Sequence, residues 1–247
     1  SKRPPWTGPG EPSRKSRKRV AFQQCGTSPA PDSTRKERKV MGVTIHYRGR
    51  LDNPDRLPEF RDKMMAIASS FGWQFQVLDD DWSIPPSAVL KHDGKNPKIT
   101  GSLGLKGIQL KPPAGPESVD FFFDSKGYLL SPMNVILLQE GLLGPDDAWV
   151  SVKTQFLPTE IHVMIVGLLK YIKEHHIPNL EVQDEGEYWE TGDCRVLEEK
   201  KRLIQERIEY LSGALSSENL GGLSADEIAS RIERLVHAEN MESKDIH

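Results

Sequence analysis

The chain has 247 residues, enough for one large domain or two small ones, and it is polar: 36% hydrophobic, 28% charged and 7% aromatic, with a formal net charge of −3. Its most apolar stretch, Ile161 to Leu169, is interrupted by His162 and falls well short of the roughly 20 apolar residues of a membrane-spanning helix. These figures point to a globular protein of the cytoplasm and exclude a helical membrane protein.

Charge is unevenly distributed. Residues 1–40 carry 11 Lys or Arg against 3 Asp or Glu, whereas the remainder carries 22 against 33. Six prolines and runs such as Arg14-Lys15-Ser16-Arg17-Lys18-Arg19 leave this segment no apolar periodicity with which to offset the entropy of ordering. We expect a disordered basic tail, with Met41 as the natural start of the protein. Nucleic acid is an expected partner only through that tail, because the body is acidic. The two cysteines, Cys25 and Cys194, stand in different kinds of segment, and neither a disulfide framework nor a cysteine zinc site is expected from them.

Val43 to Tyr47 alternates and is rich in β-branched residues, which predicts a strand. Phe60, Met64, Ile67 and Phe71 then recur with helical spacing, between a Pro58 suited to the first turn and a Gly72 suited to the C-terminal cap. Trp73 to Leu78 alternates again and runs into Asp79-Asp80-Asp81-Trp82, so the unit is strand, helix, strand. Pro85-Pro86 and His92 to Pro97 read as loop. Gly107 to Lys111, Val119 to Phe123 and Tyr128 to Leu130 read as a meander turned at Asp124-Ser125-Lys126-Gly127, followed by a short helix around Met133 to Leu142.

A second strand-helix-strand unit follows, from Trp149 to Phe156, through a helix opened by Pro158, to Leu180-Glu181-Val182. Val43-Thr44-Ile45 answers Val150-Ser151-Val152, Leu57-Pro58 answers Leu157-Pro158, and each unit ends in acids and a tryptophan, Trp82 and Trp189. We read a pseudo-repeat within an α+β fold, its helices covering one face of a mainly antiparallel or mixed sheet. Residues 41–193 form the predicted domain and 194–247 a helical appendage. Asp193 is its expected N-cap, Leu197, Ile204, Ile208 and Leu211 line one face, and Ser224 with Glu227 forms a capping box ahead of Ile228, Ile232 and Leu235.

The acidic strand ends invite chemistry. If the two units pack about a pseudo-twofold axis, Asp79 and Asp80 converge with Asp184 and Glu185, and such carboxylates would hold Mg²⁺ or Mn²⁺. His46 is the candidate catalytic group, as a general base near neutral pH. His162 falls on a largely buried helix, and His175-His176 at a helix end complement its dipole. No nucleophile has a recognisable sequence context, and without the metal no cofactor is expected.

The segment Met41-Gly42-Val43-Thr44-Ile45-His46-Tyr47-Arg48-Gly49-Arg50-Leu51, together with Trp149 to Phe156 and Asp184 through Trp189-Glu190-Thr191-Gly192-Asp193, resembles a group of uncharacterised bacterial proteins over about residues 41–193. The resemblance implies a bacterial cytoplasmic origin and carries no activity. Two functions are expected. The first is a non-catalytic binding or regulatory domain meeting a protein partner, or a second copy of itself, through exposed sheet and the C-terminal helices. The alternative is a metal-dependent hydrolase of a phosphodiester or nucleotide that uses the clustered carboxylates.

Overall fold

The computed structural model describes residues 42–92, 97–113 and 115–217, with single positions 224, 226, 227, 229, 230 and 234 beyond them. The expected basic tail and the apolar side of the last helix, Ile228, Ile232 and Leu235, lie outside the described residues. In chain order the elements are β1 (Thr44–Arg48), α1 (Leu57–Phe71), β2 (Gln74–Asp79), β3 (Val89–His92), β4 (Pro97–Thr100), β5 (Lys106–Lys111), β6 (Val119–Phe123) and α2 (Pro132–Gln139), then β7 (Val150–Lys153), α3 (Thr159–His175), β8 (Glu181–Asp184), α4 (Tyr188–Thr191) and α5 (Cys194–Ser217). The class is α+β. Among the described residues no helix is long and apolar enough to cross a membrane.

All described strand pairs are antiparallel and fall into two three-stranded sheets, β7-β1-β8 and β2-β5-β6, and a β3-β4 hairpin. Because β7 and β8 both run antiparallel to β1, they are parallel to each other, and α3 joins them across the intervening strand as a split β-α-β unit. The first strand-helix-strand unit is arranged differently: β1 belongs to one sheet and β2 to the other.

The helices form for local reasons. In α1, Phe60, Met64 and Ala68 are buried on one face, and Gly72 takes the left-handed conformation (φ 69°) that lets its amide close on the Ala68 and Ser69 carbonyls. In α3 the wider apolar face buries Ile161, Ile165, Val166, Leu168, Leu169 and Ile172. Both helices share one core with the two sheets, in which Phe60 meets Phe121 and Phe123 edge to face at ring separations of 5.9 and 5.5 Å. The turn after β6 is the expected one: the Asp124 carboxylate accepts the Lys126 and Tyr128 amides, and Gly127 has a φ of 85°.

One expectation needs correction. The stretch predicted as loop contains the β3-β4 hairpin, Val89 to His92 paired with Pro97 to Thr100. Its strands are largely exposed, so the burial pattern that marks a strand in sequence is missing. Cys194 opens α5 and is buried.

Tyr47 ties the two sheets together. Its side chain is fully buried, and its hydroxyl donates to the Asp120 carbonyl at 2.9 Å and accepts the Asp120 amide at 3.0 Å. Tyr47→Phe leaves both main-chain groups of Asp120 without this partner. It is expected to destabilise the fold by about 1–3 kcal/mol in a urea titration.

Candidate functional site

Alternation along β1 sends Ile45 and Tyr47 into the core and turns Thr44, His46 and Arg48 to the opposite face of the sheet. Register completes that face. His46 lies opposite Ser151 on β7 and Gln183 on β8, Thr44 lies opposite Lys153, and Arg48 lies opposite Glu181. Ser151, Lys153, Glu181 and Gln183 keep this face polar, and all eight outward positions, Glu185 included, are exposed or half-buried.

At its centre His46 Nδ1 is 2.7 Å from Ser151 Oγ, the separation of a hydroxyl and a ring nitrogen sharing a hydrogen bond. Glu185 stands on the other side of the ring, 3.8 Å from Nε2, too far to hydrogen-bond it. Its other oxygen accepts the Thr44 amide at 2.8 Å instead. Nucleophilic catalysis needs a base that is itself oriented by a third group. Here the carboxylate is engaged by the backbone, and among the described residues the His46 ring is hydrogen-bonded by Ser151 alone.

The remaining sequence candidates do other work. Asp79 is paired with Lys106 at 3.2 Å and lies 3.9 Å from Arg61. Asp80 accepts the amides of Leu103 at 3.0 Å and Leu105 at 3.5 Å, fixing the loop that leads into β5. Asp79 ends β2 of the β2-β5-β6 sheet and Asp80 follows it, whereas Asp184 ends β8 of the other sheet and Glu185 follows it. Among the described residues no group of three or more His, Cys, Asp or Glu side chains is placed to hold a metal ion.

Asp184 faces inward, and sequence reasoning missed what it meets there. Its carboxylate receives the Gly186 amide at 2.8 Å, the Trp189 amide at 2.9 Å and His162 Nε2 at 3.0 Å. On the far side of the ring, His162 Nδ1 is 2.7 Å from the Thr154 hydroxyl, which also reaches the Val43 carbonyl at 3.2 Å. The His162 and Asp184 side chains have no solvent exposure, and Thr154 is likewise fully buried. Burial works to raise the Asp184 carboxyl, but the His162 ring and the two amides outweigh it and hold the group below its usual value of 3.8. A carboxylate only accepts, so His162 Nε2 carries the proton of that bond. The chain of contacts ties the ends of β7 and β8 to α3 and to the loop before α4. The signal available in sequence was His162 itself, since a polar ring on a buried helical face requires partners.

Beyond this network, α5 begins as expected, with Asp193 Oδ1 accepting the Arg195 amide at 2.9 Å. Leu197 and Ile204 pack beside Val43, whereas Ile208 is 40% exposed and the Leu211 side chain lies outside the described residues. Along this helix Arg202 pairs with Glu206 at 2.7 Å. The capping box of the last segment is formed: Ser224 Oγ accepts the Glu227 amide at 3.3 Å, and Glu227 Oε2 accepts the Ser224 amide at 2.7 Å.

No protein-family model, curated protein or solved structure matches this chain.

Proposed function

We propose that this chain is a non-catalytic binding domain that receives a protein partner on the outward face of the β7-β1-β8 sheet and on α5. The observation that carries the reading is the sheet face itself, on which Thr44, His46, Arg48, Ser151, Lys153, Glu181, Gln183 and Glu185 stay accessible while the opposite face is packed in the core. Such a face offers hydrogen-bonding groups of both signs on a rigid scaffold, which favours specific recognition. Helix α5 supports the same reading. Leu203 (46% exposed), Ile208 and Tyr210 (43%) remain uncovered on a helix whose earlier Leu197 and Ile204 are docked. Chemistry by Ser151 and His46 is the weaker use of this face, because Glu185 does not orient the ring.

The test is site-specific photo-cross-linking in the native host, with a benzophenone amino acid replacing Gln183, Leu203 or, as a control on the exposed side of α1, Lys63. The expected result is one protein cross-linked from both Gln183 and Leu203 and not from Lys63. Equal labelling from all three positions would contradict the proposal. So would Mg²⁺- or Mn²⁺-dependent hydrolysis of bis(p-nitrophenyl) phosphate that is lost in Asp79→Asn, which would establish the hydrolase.

A further inference from the structure

A second feature, independent of that partner, lies at the end of β1. Arg48, Gly49 and Arg50 border a pocket of about 280 Å³ whose other walls include Tyr128, Asp146, Asn179 and Glu181. This is near the small end of the range for ligand sites, roughly 300–1,000 Å³. Both guanidiniums are fixed by stacking: Arg48 lies over Trp149 at 4.6 Å and Arg50 over Tyr128 at 4.9 Å. Arg48 also bonds Glu181 at 2.9 Å and the Asp146 carbonyl, and its buried Nε has no hydrogen-bond partner among the described residues. Arg50 gives Nε to the Lys126 carbonyl at 2.9 Å, and its two terminal nitrogens have no protein acceptor among the described residues. The exposed Asp146 carboxylate likewise has no ion-pair or hydrogen-bond partner among them.

We propose that this pocket binds a small zwitterion of the amino-acid class, its carboxylate on Arg50 and its ammonium toward Asp146. Charge balance selects this class over a simple anion. The lining has two cationic and two anionic side chains, and Glu181 already neutralises Arg48, so the surplus groups are one guanidinium and one carboxylate. A dianion such as phosphate meets the first favourably and the second unfavourably, whereas a molecule with both charges satisfies each. Gly49 belongs to the design: a Cβ there would approach Ile177 to 2.9 Å and both Asn179 and Leu180 to 3.2 Å, so the strand end that carries the arginines lies tight against this wall.

The test is isothermal titration of the full chain with each standard free amino acid, with acetate, methylammonium and inorganic phosphate as single-charge or dianionic controls. The expected result is saturable binding of at least one amino acid at one site per chain, with each control weaker by about tenfold or more. Arg50→Gln and Asp146→Asn should each weaken that binding by about tenfold, and Asp146→Asn should leave the thermal midpoint unchanged, because its carboxylate is exposed and has no ion-pair or hydrogen-bond partner among the described residues. Absence of binding by every amino acid would overturn the proposal. So would phosphate or acetate binding as tightly as the amino acid, or variants that bind like the parent.

Discussion

Asp184→Asn is expected to destabilise the fold by about 3–5 kcal/mol at neutral pH, the range observed when one partner of a buried pair is removed. The substitution keeps the shape of the side chain. It replaces one carboxylate oxygen with an amide nitrogen, while the Gly186 and Trp189 amides and His162 Nε2 all continue to need acceptors. Two of these donors converge on Oδ2, from Trp189 and His162, and the third on Oδ1, so either orientation of the asparagine sets donor against donor. The pH dependence has a definite sign. The folded-state value of Asp184 lies below the ordinary 3.8, so its contribution is fully present above that value and is lost as pH falls through the lower folded one. Urea titrations at a series of pH values should therefore show a constant gap between parent and variant near neutrality that narrows in acid. A gap that is small at neutral pH, or that widens in acid, would mean that the carboxylate is not held as described.

Phe60→Ala should be comparably severe, about 3–5 kcal/mol, through loss of buried area and the cavity left behind. Phe60 is 1% exposed on the buried face of α1, where it meets Phe121, Phe123 and, at 5.3 Å, the His176 ring. It joins α1 to the β2-β5-β6 sheet and to the end of α3, so neighbouring elements cannot collapse into the space without separating from one another. Ser70→Ala on the exposed side of the same helix is the control. It loses only a hydroxyl bond to the Ile67 carbonyl and is expected to stay within about 0.5 kcal/mol of the parent. Thermal or urea denaturation distinguishes the two directly.

These two sites differ in how well they could be read from sequence. Phe60 was legible because α1 is periodic: Phe60, Met64, Ile67 and Phe71 repeat at helical spacing and Gly72 ends the run, so local physics determines both the helix and its buried side. The same holds for α3, for the Ser131-capped α2 and for the Asp124-Gly127 turn. Strands were legible where alternation and burial coincide, as in β1 and β7. They were not where the strand is largely exposed, as in β3 and β4.

Pairing was the harder part. Nothing in Val43 to Tyr47 announces that β1 lies between β7 and β8, more than a hundred residues away, because register is decided by tertiary burial. That non-local step separated the acidic strand ends into two sheets. It also brought together Thr154, His162 and Asp184, each of which taken alone looks like an ordinary loop, helix or strand-end residue. His46 and Glu185 were both singled out as chemically interesting, and they do approach each other across β1 and β8. Ser151, which completes their cluster, is an unremarked polar position of a half-exposed strand until the register is known.

The β7-β1-β8 face is the proposed working surface of this chain. The direct measurement is the dissociation constant of the cross-linked protein, once purified, for the parent chain and for Gln183→Trp and Lys63→Trp. Gln183 stands on that face opposite His46, and Lys63 is exposed on α1. A tryptophan at 183 blocks close approach to the face without entering the core, so binding should weaken by at least about tenfold, or 1.4 kcal/mol, while the variant at 63 binds like the parent. Equal affinity of the parent and Gln183→Trp would contradict the account, because a partner seated on this face cannot avoid that position.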